Sequence, residues 1–126
     1  MSHIIIISSS IRTGRKSDRV CLYFKNYLDS NHPGSAEIVD LEQYNFPLFT
    51  ERLRLLKDPT PEISTFAEKI RSADGILIVT PEYNGGYPAS LKNVIDLLYE
   101  EWHRKPVAIA TVSAGAFGGS QVITSL

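Results

Sequence analysis

One cysteine, Cys21, stands alone among 126 residues, so the fold has no internal disulfide to draw on. That agrees with a reducing, cytoplasmic setting. No run approaches the roughly 20 apolar residues that a membrane-spanning helix needs. The N-terminus lacks the charged leader and cleavage site of a signal peptide, so export is not expected. An excess of either charge is also missing: 13 Lys and Arg face 14 Asp and Glu, for a net charge of −1. Nothing there argues for a nucleic-acid or membrane-surface partner. His3, His32 and His103 are scattered without ligand-like spacing, and no metal site is expected. The chain has no G-x-S-x-G elbow, which argues against Ser-His-Asp catalysis. It also lacks both G-x-G-x-x-G and G-x-x-x-x-G-K-[ST], so dinucleotide and P-loop readings are weak.

What is present is an alternation of short apolar runs with helix-like periods. The length suits one domain over residues 1–126, and 43% apolar residues suffice for a single core. His3 to Ser8 contains four consecutive isoleucines and no alternation, the pattern of a central parallel strand covered on both faces. Ser17 reads as the N-cap of a first helix, with Asp18 in its first turn. Val20, Tyr23, Phe24, Tyr27 and Leu28 give its apolar stripe. Pro33-Gly34 marks a turn, and Ala36 to Leu41 a second strand. Residues 42–60 read as irregular. Thr60-Pro61-Glu62 then starts a second long helix, striped by Ile63, Phe66, Ala67 and Ile70. Gly75 to Thr80 is a third strand. Leu91, Val94, Ile95 and Leu98 stripe a third helix, and Pro106 to Val112 is a fourth strand. A last helix begins at Gln121. Strands alternating with helices predict an α/β fold, a doubly wound parallel sheet. Right-handed crossovers would bring the loops after the first, third and fourth strands to one edge.

Those three loops carry the unusual residues. Ser8 to Ser17 joins a buried strand to a helix N-terminus, where free N–H groups and the helix dipole favour an anion. Its hydroxyls add donors, and Arg12 can grip a phosphate with two bonds. The set suits a terminal monophosphate, or else a solvated loop that caps a helix. In Pro81 to Pro88, glycines permit close approach of the backbone, Tyr83 offers a flat face, and Asn84 can donate and accept. That suits the edge of a planar heteroaromatic ring; a stiff turn is the alternative. The Glu82 carboxylate is read as bonding free N–H groups near the next helix start rather than as a general base. Ser113 to Gly119 is small and could wall a flat ring or simply connect. Tyr99 and Trp102 read as packing or as a subunit contact.

Ser10-Ile11-Arg12 with Gly14 and Ser17, then Pro81-Glu82-Tyr83-Asn84, Pro88 and Leu91-Lys92-Asn93-Val94-Ile95-Asp96, resemble the NADPH-dependent FMN reductases. That group has a flavodoxin-like fold and includes quinone, azo-dye and chromate reductases. The resemblance implies a cofactor site in which Ser10, Arg12 and Ser17 hold the FMN phosphate. Pro81, Glu82, Tyr83 and Asn84 would line the isoalloxazine, and Ser113 and Gly115 would close its other side. It implies NADPH or NADH as co-substrate, a small-molecule electron acceptor and a homodimer or homotetramer. No catalytic side chain is implied, because the flavin carries the chemistry. Ser9 stands where the family usually has Gly, and Gln121 where an Arg is common. The resemblance also implies sheet order 2-1-3-4 with the family's fifth strand and last helix missing, leaving the fourth strand as an open edge. An FMN-binding electron carrier and a catalytically degenerate relative are the competing readings.

Overall fold

The computed structural model describes residues 2–126. Its four strands are β1 (Ile4–Ser8), β2 (Ala36–Asp40), β3 (Gly75–Pro81) and β4 (Val107–Val112). All pair in parallel, as the alternation predicts, and in the order β2-β1-β3-β4 that the family resemblance implies. The helices are α1 (Ser17–Asn31), α2 (Leu41–Tyr44), α3 (Pro61–Ser72), α4 (Ala89–Leu97) and α5 (Ser120–Ser125). Among the described residues no helix is long and apolar enough to cross a membrane.

The central strand explains the isoleucine run. Ile5, Ile6 and Ile7 are all 0% exposed. Ile5 and Ile7 join Val39, Ile76, Ile78 and the stripes of α3 and α4 on one face. Ile6 joins Leu77, Val79 and Cys21 under α1 on the other. Side chains alternate across a strand, so only a strand covered on both faces can be apolar throughout.

The start of α3 forms as its sequence dictates. Thr60 Oγ1 accepts from the Ile63 N–H, and Pro61 occupies the first helical position. Ile63, Phe66, Ala67 and Ile70 are all buried. Phe66 is also the hub of an aromatic cluster with Tyr44, Phe46 and Trp102, at centroid distances of 5.4–6.3 Å. That cluster gives order to part of the segment read as irregular.

Two expectations for α1 are corrected. Ser17 is the first helical residue rather than the cap; Lys16 occupies the cap position and makes no side-chain bond. Tyr23 and Tyr27 are 66% and 60% exposed. The buried stripe instead runs through Ser17, Val20, Cys21, Phe24 and Leu28. The i, i+3, i+4 rule accepts either set, and the tyrosines lie on the flank of the true stripe.

Cys21 sits between α1 and the sheet, and burial pushes its thiol from 9.0 up to about 11. A folded-state pKa above the unfolded one means that the native protein holds the proton more tightly. The resulting stability is fully present below pH 9 and is lost as pH rises from 9 towards 11. The expected loss is about 1.4 kcal/mol per pH unit in that window. Urea titrations at pH 8, 9.5 and 10.5, wild type against Cys21→Ser, check this; parallel pH profiles would contradict it.

Candidate functional site

The parallel register sets the site. β1 and β3 run side by side, Ser8 opposite Val79, and β3 pairs with β4 through Pro81 opposite Val112. The chain therefore leaves all three strands at one edge of the sheet, and the three unusual loops begin there.

The first loop is tied down at several points. The Ser9 N–H continues the ladder to the Val79 carbonyl at 3.1 Å. Ser90 Oγ, in the first turn of α4, donates to the Ser9 carbonyl at 2.6 Å. Arg15 Nη1 donates to the Ser10 carbonyl at 2.6 Å, and its guanidinium forks onto both oxygens of Asp40 at 2.6 Å. That bond to Asp40 pushes the Arg15 pKa above its ordinary value. Asp40 Oδ1 also accepts from the Glu42 N–H and so caps α2. Arg12 lies exposed at the turn of the loop, and among the described residues its guanidinium pairs with no acidic group. Among the described residues, the buried hydroxyls of Ser9 and Ser17 have no hydrogen-bond partner. The first turn of α1 adds backbone N–H groups that have no intrahelical acceptor.

The second loop is a tight turn. Tyr83 and Gly86 exchange backbone hydrogen bonds of 2.8 and 3.1 Å around Asn84 and Gly85, which have φ of 52° and 77°. Two consecutive positive φ values are what an Asn-Gly turn of this type requires. The turn aims Tyr83 back at the first loop, where its hydroxyl shares a 2.7 Å hydrogen bond with Ser10 Oγ. Glu82 departs from the expected capping role: its Oε2 is buried without a partner. Pro81 ends β3, and Asn84 is exposed.

The third loop is the looser one. Ser113 Oγ accepts from the Gly115 N–H at 3.0 Å, and Thr111 Oγ1 donates to the Gly118 carbonyl at 2.6 Å. Among the described residues no hydrogen bond links Ser113 or Gly115 to the other two loops. The approach is made instead by Gln121, whose Oε1 lies 3.0 Å from where a Cβ on Gly85 would stand.

The structure thus joins Ser10 to Tyr83 and gathers Ser17 and Arg12 on the same loop. Sequence reasoning missed Arg15, Asp40 and Ser90, which fix the first loop. It also missed a groove of about 420 Å³ beside Ile11, walled by Leu41, Phe46, Leu48 and Ala89. Asn93 builds one wall by donating to the Pro47 carbonyl and accepting from the Phe49 N–H. Among the described residues no cluster of three or more His, Cys, Asp or Glu is placed to hold a metal.

Comparison with known proteins adds an independent line. The family described as NADPH-dependent FMN reductase matches residues 2–126. An NAD(P)H-dependent FMN reductase of Saccharomyces cerevisiae is 34% identical over 129 residues, covering 92% of this chain and 66% of that protein. A quinone reductase of Escherichia coli is 33% identical over 123 residues, covering 94% of this chain and 63% of that protein. The chain therefore spans about two thirds of the length of these curated relatives. Among solved structures, a flavoenzyme NAD(P)H:(acceptor) oxidoreductase of Paracoccus denitrificans superposes with a TM-score of 0.78 at 24% identity, covering 99% of this chain and 68% of that one. An azoreductase of Bacillus anthracis gives 0.70 at 16% identity, covering 93% of this chain and 71% of that one. These likenesses identify the fold as flavodoxin-like.

Three substitutions test the local geometry. Tyr83→Phe removes the bond to Ser10 and should cost about 0.5–1.5 kcal/mol. Gly119→Ala would put a Cβ 2.8 Å from Thr111 Cβ at a φ of 84°. Gly118→Ala, at a φ of 61°, meets open space. Chemical denaturation should show the Gly119 variant to be the less stable by about 1–2 kcal/mol. Equal stabilities would contradict the packing of this loop on β4.

Proposed function

The chain belongs to the NADPH-dependent FMN reductase family, and from that premise we propose that it is an FMN-dependent NAD(P)H oxidoreductase of quinone-reductase type. Its partner would be a small-molecule electron acceptor. The observation that carries the reading is a donor set at the sheet edge without partners among the described residues: the buried Ser9 and Ser17 hydroxyls, the first turn of α1 and the exposed Arg12.

The residues present fit FMN. A phosphate monoester needs several donors and a cation, and this loop supplies hydroxyls, helix N–H groups and one uncommitted guanidinium. A planar ring with polar edges needs a flat face and both donors and acceptors. Tyr83, Asn84 and the orphaned Glu82 Oε2 answer that need. Ser10, Arg12 and Ser17 would hold the phosphate. Pro81, Glu82, Tyr83 and Asn84 would line the ring, with Ser113 and Gly115 across from them. When bound, FMN supplies the two-electron chemistry that links a nicotinamide donor, NADPH or NADH, to the acceptor. The chain orients and shields the ring, and no side chain is assigned as an acid, base or nucleophile. The apolar groove lined by Ile11, the residue after Ser10, offers room for a planar acceptor.

We also assign a homodimer to the face that carries Tyr99. Its ring is 56% exposed, with the Arg52 guanidinium 5.4 Å from its centroid and His103 against its edge. Trp102 is an internal anchor by comparison: its indole N–H donates to the Ile95 carbonyl at 3.2 Å.

Mixed anaerobically with FMN and NADPH, the chain should bleach the flavin's blue-region absorbance rapidly. No bleaching with FMN demonstrably bound would contradict the reductase reading and favour an electron carrier. Arg12→Ala should weaken FMN binding by about 1.5–3 kcal/mol, read by fluorescence titration. An unchanged affinity would remove Arg12 from the phosphate site. Light scattering at micromolar concentration should give a dimer mass; a monomer would contradict the assigned interface.

A further inference from the structure

We propose that Arg15 is a positioning residue for the phosphate-binding loop. Clamped by Asp40, it holds the Ser10 carbonyl and closes residues 10–15 into the ring that presents Arg12 and the first turn of α1 to a phosphate monoester. The inference rests on the FMN reading of the site.

The two arginines of this loop are placed for different tasks. Arg12 is exposed and has no partner among the described residues. The Arg15 side chain is 16% exposed, and its partner Asp40 is 14% exposed. Both Asp40 oxygens are engaged by the fork, and Nη1 is shared with the Ser10 carbonyl. The Arg15 N–H adds a 3.3 Å bond to the Arg12 carbonyl. The loop is therefore closed at both levels, by backbone at Arg12 and by side chain at Ser10.

Asp40 makes this closure directional. It is the last residue of β2, a strand paired in register with β1 from Ile4 opposite Ala36 to Ser8 opposite Asp40. Its carboxylate is thus fixed by the sheet and by the Glu42 N–H that it caps. Arg15 transmits that fixed point to Ser10, and Ser10 in turn meets Tyr83 of the ring-facing loop. Because Asp40 neutralises Arg15, Arg12 is the guanidinium of this loop left to meet a phosphate. A lysine could keep the charge of Arg15, but one ammonium cannot reproduce a planar fork that bridges a carboxylate and a carbonyl.

The test compares FMN with riboflavin, which carries the same ring and no phosphate. Affinities are measured by fluorescence titration for wild type, Arg15→Lys, Arg15→Gln and Asp40→Asn. Urea midpoints confirm that each variant is folded, and Arg15→Lys serves if the uncharged variant does not fold. For the wild type, FMN should bind at least 10-fold more tightly than riboflavin. In each folded variant FMN should weaken 10-fold or more while riboflavin changes less than 2-fold. The Arg15→Gln/Asp40→Asn double variant should match the single ones, since the pair acts as a unit. With inorganic phosphate as a second probe, amide chemical shifts of residues 10–17 should move in the wild type and not in Arg15→Lys. Equal weakening of both flavins would make Arg15 a purely structural anchor and overturn the proposal, as would unchanged FMN affinity. A wild type that binds both flavins equally would overturn the phosphate reading itself and the proposal with it.

Discussion

The complete burial of β1 governs everything built at the sheet edge. Ile5, Ile6 and Ile7 have no access to water because strands flank them on both sides and helices cover both faces. Burying an isoleucine side chain contributes about 1.5–3 kcal/mol, so a register slip of β1 would be costly. The strand is thereby fixed in position and direction. A parallel sheet then delivers β1, β3 and β4 to one edge, where their loops meet. The apolar interior thus determines where the polar chemistry stands, and ligand sites of open α/β sheets fall at such edges.

Above that edge a short chain of polar contacts ties the first loop to the second. Asp40 fixes Arg15, Arg15 fixes the Ser10 carbonyl, and the Ser10 hydroxyl meets Tyr83. Ser90 anchors the preceding carbonyl from α4. The Asp40, Tyr83 and Ser90 bonds reach in from other elements, so the loop between β1 and α1 is held by the end of β2, the loop after β3 and α4 together. What the contacts leave unsatisfied is as informative as what they satisfy. Among the described residues, buried hydroxyls at Ser9 and Ser17 and a buried carboxylate oxygen at Glu82 have no hydrogen-bond partner, although buried polar groups are normally paired.

Much of this was legible in the sequence, and the limits are physical. The β1 isoleucines and the Thr60-Pro61-Glu62 helix start are local signals, and the structure follows both. The parallel pairing follows from helix–strand alternation, and the order 2-1-3-4 is the one the family resemblance implies. Tyr23 and Tyr27 fit the spacing without lining the core, because an amphipathic tyrosine satisfies it whether it lines a core or flanks one. Ser17 has the residue type of a cap, while the backbone puts it one position inside the helix. The Arg15–Asp40 and Ser10–Tyr83 pairs span 25 and 73 residues. No local pattern announces them, since they exist only once the sheet has brought their strands together. Arg12 drew attention for its place in a motif, and Arg15, three residues on, was passed over for lack of one.

Hydrogen exchange of the chain with and without FMN addresses the central claim that these three loops form one site. Added FMN should slow exchange in residues 8–17, 81–87 and 113–119 together, with little change in the already buried strands. Protection confined to one of the loops, or spread over the helix faces away from this edge, would contradict it.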